Sequence, residues 1–210
     1  MIMNRGIYLA DPCNVSSLPF WKTETVTIPD FLKIVRDNEY WQNRNKYAEY
    51  SDELYFKLIH RMQDLQKPIL PDRFSTVEIG VADFARHIGE CYTDGGISEA
   101  DLTEYKNHLV YNPALWLAIK DSLTGNIVAT GIAELDPRIG EGILEWIQVS
   151  PEYRKQGLGT FVVNELLHRM KGKADFCTVS GKVNNKTNPL ALYECCGFLE
   201  KAIWHVLSKQ

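Results

Sequence analysis

The sequence predicts an α/β fold in which a central mixed, mostly antiparallel sheet is flanked by helices. Strand-like segments separated by short polar turns occupy much of the chain before residue 150. An amphipathic helix follows them, and further strands lie on either side of a short last helix. Strands and helices in this order must cover one another, because each element has an apolar side to bury.

Length and composition are typical of one catalytic domain with an extension. The chain has 210 residues, 45% hydrophobic and 24% charged, so it can bury a sizeable core. The formal net charge of -4 argues against a general nucleic-acid binder. Residues 1–20 contain prolines and no continuous apolar run, so neither a signal peptide nor a membrane span is predicted. We therefore expect a cytoplasmic protein without nucleic-acid or membrane partners.

The cysteines and histidines predict neither a disulfide framework nor a metal site. The five cysteines are odd in number and form no C-x-x-C pair. The adjacent Cys195 and Cys196 are interpreted as small buried thiols on a packed helix. The five histidines show no metal-binding spacing. We predict no metal.

Residues 1–71 are predicted to form a partly helical extension, and residues 72–210 the main domain. A short helix is expected over 29–38, and Ser51 would cap a stronger one. The apolar face of this second helix would comprise Leu54, Leu58, Ile59, Met62 and Leu65. The prolines of segment 67–71 then indicate a linker, because proline does not continue a helix.

The elements of the main domain follow from apolar periodicity and turn residues. The predicted strands are 74–79, 115–119, 126–135, 143–149, 176–180 and 202–207. The predicted helices are 82–91, 98–109, 157–171 and 189–196. Because short turns join the second, third and fourth strands, these are expected to form an antiparallel meander.

The most informative segment is 149–160, which reads V-S-P-E-Y-R-K-Q-G-L-G-T. It leads from a strand through a basic, glycine-rich turn into a helix. Gly157 and Gly159 leave the first helical turn without bulk on one face, so unpaired N–H groups can point at an anion. Arg154 and Lys155 add positive charge, and the helix dipole contributes about half a charge more. The segment therefore predicts a phosphate site.

Spacing excludes two other nucleotide sites. An NTPase loop needs Lys-Ser/Thr directly after its second glycine, and none follows Gly159. A dinucleotide fingerprint needs a third glycine where this chain has Val162. What remains, Arg154-x-x-Gly157-x-Gly159, resembles the pyrophosphate-arm signature of the GNAT superfamily of N-acetyltransferases. In that superfamily the arm holds acetyl-coenzyme A.

A second motif strengthens the resemblance. Residues 188–198 read N-P-L-A-L-Y-E-C-C-G-F and are similar to the family's last helix, which usually ends in L-Y-E-x-x-G-F. Asn188 suits a helix N-cap, Pro189 a first helical position and Gly197 a left-handed C-terminal position. The resemblance covers about residues 74–207 and implies the GNAT-type acyl-CoA N-acyltransferase fold.

The resemblance implies an N-acetyltransferase that moves an acetyl group from acetyl-CoA to a primary amine of a small molecule or peptide by direct attack. It assigns Tyr193 as the general acid for the leaving thiolate, with simple packing as the alternative. Glu145 is the candidate general base, because it lies in the strand that leads to the phosphate site. A surface charge or a structural hydrogen bond is the alternative there, and Glu134 is the reserve candidate.

Further cofactor contacts are expected from the strand before the phosphate site and from the loop before the last helix. The predicted cofactor-binding residues are Ile147, Gln148, Val149, Arg154, Lys155, Gln156, Gly157, Leu158, Gly159, Thr160, Asn185 and Asn188. By the family's pattern, the first three would contact the pantetheine arm through backbone groups. The loop departs by one residue from the family's spacing, so Asn188 is also interpretable as a plain N-cap.

The sequence does not identify the acceptor amine. Segment 92–96 is a candidate lid, where Asp94 and the nearby Glu99 would attract a cationic amine, and a plain turn between helices is the alternative. The extension would cover the acceptor pocket, form a homodimer or stabilise the fold. The rival function is a noncatalytic acyl-CoA-binding or interaction module that retains the fold.

Overall fold

The computed structural model describes residues 3–92 and 95–209. It contains two compact units: one comprises the chain up to Arg61 and from Thr178 onward, and the other comprises Met62–Cys177. We refer to them as the first and the second unit. The two units are defined by contacts within the folded chain. The predicted boundary at residue 71, between the extension and the main domain, stays a prediction.

Strands and helices occur in both units, which confirms the predicted α/β class. The strands in the described ranges are β1 (Leu32–Arg36), β2 (Tyr50–His60), β3 (Phe74–Val77), β4 (Trp116–Asp121), β5 (Ile127–Asp136), β6 (Glu141–Val149), β7 (Phe176–Lys182) and β8 (Leu199–Lys209). The helices are α1 (Arg5–Ala10), α2 (Pro12–Val15), α3 (Phe20–Thr25), α4 (Asp37–Gln42), α5 (Val81–Cys91), α6 (Glu99–Glu104), α7 (Leu158–Met170) and α8 (Pro189–Cys195). Short 3-10 turns lie at Arg44–Tyr47, Tyr105–Asn107, Pro113–Leu115 and Pro151–Tyr153.

The second unit is built on the antiparallel meander β3–β4–β5–β6, in which each strand pairs with the next. The predicted meander is therefore confirmed. One apolar cluster joins α5 and α6 to the sheet through Phe84, Ile88, Leu102, Ala118 and Ile132. This packing buries the apolar faces that the periodicity of α5 predicted.

Helix α7 lies very close to β5 at Gly131. A Cβ at this position would collide with Val162 Cγ1 and would lie 3.0 Å from Leu166 Cδ1. Only a glycine leaves room for the two elements to approach this far. The contact fixes α7, and with it the turn that enters α7, on the sheet of the second unit.

The first unit corrects two helix predictions. Residues predicted as a helix capped by Ser51 instead form strand β2, which pairs antiparallel with β8. The prediction was wrong because a segment buried on both sides lacks the regular alternation of a half-buried strand, and the spacing of its apolar residues also fits a helix. The predicted helix over 29–38 is wrong for a similar reason. Its first part is strand β1, paired with β8, and helix α4 begins only at Asp37.

A buried lysine joins the N-terminal helices to β2 within the first unit. Lys57 is 1% exposed. Its Nζ donates to the carbonyl oxygens of Pro12, Ser16 and Leu18 at 3.0, 3.0 and 2.9 Å, and lies 3.1 Å from Tyr8 Oη. A buried ammonium is tolerated when acceptors surround it in this way. Lys57 therefore supplies a hydrogen-bond donor to three main-chain carbonyls that lie outside the strands.

All five cysteines are free thiols. Cys196 is buried as predicted, but the prediction is wrong for Cys195, which is exposed. The buried side of α8 carries Tyr193, three positions before Cys196, so the helical period turns Cys195 toward solvent. Within residues 3–92 and 95–209, no group of three or more His, Cys, Asp or Glu side chains is placed to hold a metal ion. Nor does that part of the chain contain a helix long and apolar enough to cross a bilayer.

Candidate cofactor site

The turn into α7 has a backbone shaped by two left-handed residues. Lys155 has a φ of 61° and Gly157 a φ of 82°. A Cβ added at Gly157 would meet no atom within 4 Å. The left-handed backbone conformation, and not a lack of space, therefore explains the glycine at this position. Left-handed residues in such a turn direct successive N–H groups toward one concave side. We call residues 154–160 the anion site.

Backbone donors at the start of α7 supply the positive potential of the anion site. Phe161 N donates to Gly157 O at 2.9 Å, which is the first i to i-4 bond of the helix. The N–H groups of Leu158, Gly159 and Thr160 precede it and lack intrahelical acceptors, and no side chain caps Gly157. The dipole of this 13-residue helix adds to their effect. This is the arrangement that binds phosphate groups in many proteins.

The basic side chains of the anion site differ in their surroundings. Arg154 Nε donates to the Val149 carbonyl at 3.1 Å, which brings two predicted cofactor-binding residues together. Burial raises the pKa of the Tyr92 phenol, and the nearby charge of Arg154 opposes this with a smaller effect. Lys155 and Gln156 are exposed, whereas Leu158 is buried and anchors the turn. The anion site therefore has two positive side chains: Arg154, which is held by its hydrogen bond to Val149, and Lys155, which is exposed to solvent.

Strand β6 carries a bulge at Glu145. Trp146 pairs with Ile132 and Leu144 pairs with Ala133, so Glu145 is the extra residue opposite them. In a regular strand, successive side chains alternate between the two faces of the sheet. The bulge interrupts that alternation, and Glu145 is half-buried at the irregular point of the strand.

The second motif forms α8 in the first unit. Asn188 is its N-cap, with a side chain that accepts from Ala191 N at 3.4 Å, and Gly197 has a φ of 92°. Both assignments from the sequence are confirmed. The Oδ1 atom of Asn185 accepts from the N–H and the hydroxyl of Thr187 at 2.9 and 2.8 Å, so it stabilises the loop itself.

Tyr193 lies on the buried side of α8. Its side chain is 6% exposed. Its ring centroid is 6.2 Å from that of Phe56 and 5.7 Å from that of Phe198. Aromatic packing of this kind fixes the position of the phenol, which is the property that a proton donor needs.

The anion site and α8 both fall inside a region that matches a known family. Residues 81–198, more than half of the chain, match the model of the Acetyltransferase (GNAT) family. The chain belongs to the GNAT family. A comparison with curated proteins found no similar sequence.

Solved structures show the same fold. A GCN5-related N-acetyltransferase from Sphaerobacter thermophilus is 16% identical with a TM-score of 0.67, over 84% of this chain and 58% of that one. A Drosophila protein is 16% identical with a TM-score of 0.63, over 93% and 68%. A GCN5-related N-acetyltransferase from Kribbella flavida is 17% identical with a TM-score of 0.55, over 85% and 67%. The predicted GNAT-type fold is confirmed, and this chain spans 58% of the Sphaerobacter protein.

A buried polar chain that the sequence did not predict lies beside the anion site of this GNAT protein. His87 Nδ1 is 2.9 Å from Thr130 Oγ1, and His87 Nε2 is 3.0 Å from Ser150 Oγ. Gln148 Nε2 also donates to Thr130 Oγ1, so the hydroxyl of Thr130 contacts both side chains. Burial lowers the pKa of His87 and so favours the neutral imidazole.

This network of hydrogen-bonded side chains holds the end of β6 against α5. Its fifth member is Cys91, whose Sγ is 3.7 Å from His87 Nε2 and whose pKa burial raises to about 11. The side chain of Gln148 is thus engaged inside the protein, and only backbone groups of this residue remain for the predicted cofactor contact. The one sequence signal was a histidine one helical turn before a cysteine in a predicted helix.

The candidate lid lies partly outside the described residues, because Thr93 and Asp94 are not among them. Glu99 is exposed in the first turn of α6. Ser98 is the N-cap of that helix, and its Oγ accepts from Asp101 N at 3.0 Å. Ser98 and Asp101 thus mark the helix start as predicted.

Proposed function

We propose that this GNAT protein is an acetyl-CoA-dependent N-acetyltransferase that transfers the acetyl group to a primary amine of a small molecule or peptide. The observation that carries the proposal is the anion site. Its uncapped helix start and left-handed glycine lie within the region that matches the family. A diphosphate fits such a site, because several N–H donors and a helix dipole point toward one concave surface.

In this proposal each predicted cofactor residue has a physical role. The N–H groups of Leu158, Gly159 and Thr160 hold the pyrophosphate, and Arg154, Lys155 and Gln156 add charge and donors around it. Backbone groups of Ile147, Gln148 and Val149 pair with the pantetheine arm. Asn185 and Asn188 offer side-chain amides to the rest of the cofactor. Acetyl-CoA is a cosubstrate here, and the proposed reaction requires no metal.

The proposed chemistry is direct transfer. A neutral amine attacks the thioester carbonyl carbon, a C–N bond forms, and the C–S bond of the tetrahedral intermediate breaks. Tyr193 supplies the proton that the departing thiolate takes. Glu145, at the bulge of β6, is the candidate from the sequence for removing the proton of the amine. Backbone N–H groups of β6 would stabilise the oxyanion.

Isothermal titration with acetyl-CoA tests the anion site. We expect Gly157→Glu to weaken binding by about tenfold or more, because it adds a negative charge and a side chain at a left-handed position. Gly172→Glu is the matched control: Gly172 follows the same helix, has a φ of 73° and has no atom within 4 Å of an added Cβ. Equal affinity of the two variants would contradict the site.

Thiol release from acetyl-CoA over a panel of primary amines then tests catalysis. We expect amine-dependent release by the wild-type protein. Binding of acetyl-CoA without release for any amine would instead support the noncatalytic acyl-CoA-binding alternative. Absence of acetyl-CoA binding would overturn both functions.

A further inference from the structure

A cluster of aromatic side chains lies on the α5 and α6 side of the second unit, next to the cofactor strand. The rings of Tyr92 and Trp146 meet edge to face with centroids 5.5 Å apart. Trp146 Nε1 donates to Tyr105 Oη at 3.3 Å, and the Tyr105 ring is 5.1 Å from the imidazole of His108. All four side chains are partly exposed. The cluster therefore borders solvent and is not part of the closed core.

A buried carboxylate lies behind this cluster. Glu134 is 3% exposed, and its Oε1 is 3.7 Å from Nδ1 of His108, whose side chain is 30% exposed. Glu134 shares a face of β5 with Ile132, which pairs with Trp146, so Glu134 and Trp146 face the same side of the sheet. A bond of 2.9 Å from Leu135 N to Val110 O holds the segment after α6 along β5.

The carboxylate of Glu134 and the imidazole of His108 differ in their exposure to solvent. Glu134 is closed off from solvent by the residues around it, whereas the ring of His108 is partly open. A proton on Nδ1 would face Glu134, and Nε2 would then carry the lone pair of the neutral ring. Long contacts of this kind between a base and its orienting carboxylate are common before the substrate binds.

We propose that His108 is the base that accepts the proton of the acceptor amine and that Glu134 is its positioning residue. The inference rests on the proposed acetyl transfer and completes it. His108 Nε2 takes a proton from the substrate ammonium, and the freed amine lone pair attacks the thioester carbonyl. The C–N bond forms as the C–S bond breaks, the thiolate takes its proton from the general acid, and the imidazolium returns its proton to water.

The surroundings of His108 also indicate the class of amine. Tryptophan and tyrosine rings attract an ammonium group, and the carboxylate behind them adds negative potential. Trp146 directly precedes Ile147, the first of the predicted pantetheine-binding residues, so the cluster adjoins the strand proposed to hold the thioester. The rings favour a primary ammonium that carries an aromatic or apolar substituent. An imidazole, with an ordinary pKa of about 6.5, is better matched to neutral pH than a carboxylate.

Steady-state kinetics with acetyl-CoA and benzylamine, phenethylamine or tryptamine test the proposal. We expect His108→Gln to lower kcat by about a hundredfold with a smaller change in the KM for the amine, and to remove the acidic limb of the pH profile. Glu134→Gln should keep that limb but move it to lower pH, because the carboxylate no longer favours the protonated ring. Imidazole added to the buffer should restore part of the activity of His108→Ala.

Two controls keep the test sharp. His168→Gln removes another partly exposed histidine of the second unit, which contacts the Gln66 carbonyl, and should leave kcat within about twofold of wild type. Glu145→Gln tests the rival base. An unchanged pH profile in His108→Gln, or loss of the acidic limb in Glu145→Gln instead, would overturn the assignment.

The melting temperature and calorimetry with acetyl-CoA distinguish a loss of catalysis from a loss of folding. We expect the melting temperature and the affinity for acetyl-CoA to be unchanged in all variants. Loss of kcat in His108→Ala without rescue by imidazole would also overturn the assignment, since it would indicate a structural role. A wild-type protein that binds acetyl-CoA but acetylates none of the three amines refutes transfer to this amine class. That outcome overturns the proposed amine class and the base assignment, whereas a wild-type protein that acetylates no primary amine of the wider panel contradicts the proposed function itself.

Discussion

Asp121 joins the end of β4 to the turn that precedes the anion site. Its carboxylate accepts from Arg73 Nε at 3.0 Å, from Leu123 N at 3.0 Å and from Tyr153 Oη at 3.1 Å. Tyr153 is the last residue of the 3-10 turn before Arg154. One side chain thus positions the residue next to the anion site. The Arg73 guanidinium holds the pKa of Asp121 well below its usual range, and the Leu123 and Tyr153 hydrogen bonds act in the same direction.

We expect the stabilisation by Asp121 to depend on pH. A lowered pKa in the folded state stabilises the fold above the ordinary aspartate pKa of about 4, and this stabilisation is lost as the pH falls through the lowered value. Asp121→Asn should therefore lower the urea midpoint at pH 7, with a difference from wild type that shrinks below about pH 4. The exposed neighbour Asp72→Asn is the control. A difference that stays constant down to the lowest accessible pH would contradict this.

The phenol of Tyr193 gives a prediction at the same scale. If it protonates the thiolate, Tyr193→Phe should lower kcat by about a hundredfold, because the ring packing is retained and only the proton donor is lost. Tyr55→Phe is the control, since Tyr55 lies on β2 and its hydroxyl contacts only surface groups such as Glu53. Full activity of Tyr193→Phe in the thiol-release assay would exclude the acid role.

Among the elements of the second unit, α7 and β5 approach each other closely at Gly131. The missing Cβ of Gly131 lets Val162 and Leu166 lie against the strand. Because the anion site includes the first residues of α7, a shift of this helix moves the proposed phosphate donors. Packing at the middle of the helix therefore controls geometry at its start.

We expect Gly131→Ala to destabilise the protein by about 1–3 kcal/mol, because the new methyl group overpacks the α7 contact. Val162→Ala in the same chain should recover part of that loss, since it removes the colliding methyl. Gly89→Ala is the control. It lies in α5 with no atom within 4 Å of an added Cβ and should stabilise by about 0.5–1 kcal/mol. Urea unfolding of these variants, of Val162→Ala alone and of the wild type measures these effects, and additive behaviour of Gly131→Ala and Val162→Ala would argue against the contact.

Local signals explain which elements could be predicted. Strands β4 to β6 and helix α7 were predictable because their periodicity and turn glycines act over a few residues. The anion site was predictable for the same reason. Strand β2 was not, because its end from Phe56 to His60 is buried on both sides and so shows no alternation of buried and exposed positions. The contacts of His87 with Thr130 and of His108 with Glu134 were not predictable either, since each joins residues that only the fold brings together.

At the scale of the whole molecule, the first unit contains both ends of the chain. Strand β8 pairs with β1 and with β2, so the last strand lies between two strands from the N-terminal part. The N-terminal helices join the same unit through the acceptors around Lys57. Removing that lysine should therefore affect a whole segment and not a single contact.

We expect Lys57→Met to destabilise the protein by about 3 kcal/mol, because three buried carbonyls lose their donor. Limited proteolysis should then cut within residues 5–25 before any other region. Lys33→Met is the control, since Lys33 is exposed on β1 and contacts only the faces of Tyr47 and Tyr50. Equal cleavage rates in the two variants would show that Lys57 does not hold the N-terminal helices.

The pairing of β2 with β8 has a consequence for synthesis on the ribosome. Phe56, Leu58 and Ile59 leave the exit tunnel before the second unit is made, but β8, which pairs with β2, is made only after it. Until β8 is made, these apolar side chains lack that partner strand, and chaperones that bind extended apolar segments have time to reach them. The first unit can therefore complete its folding only after β8 has left the exit tunnel.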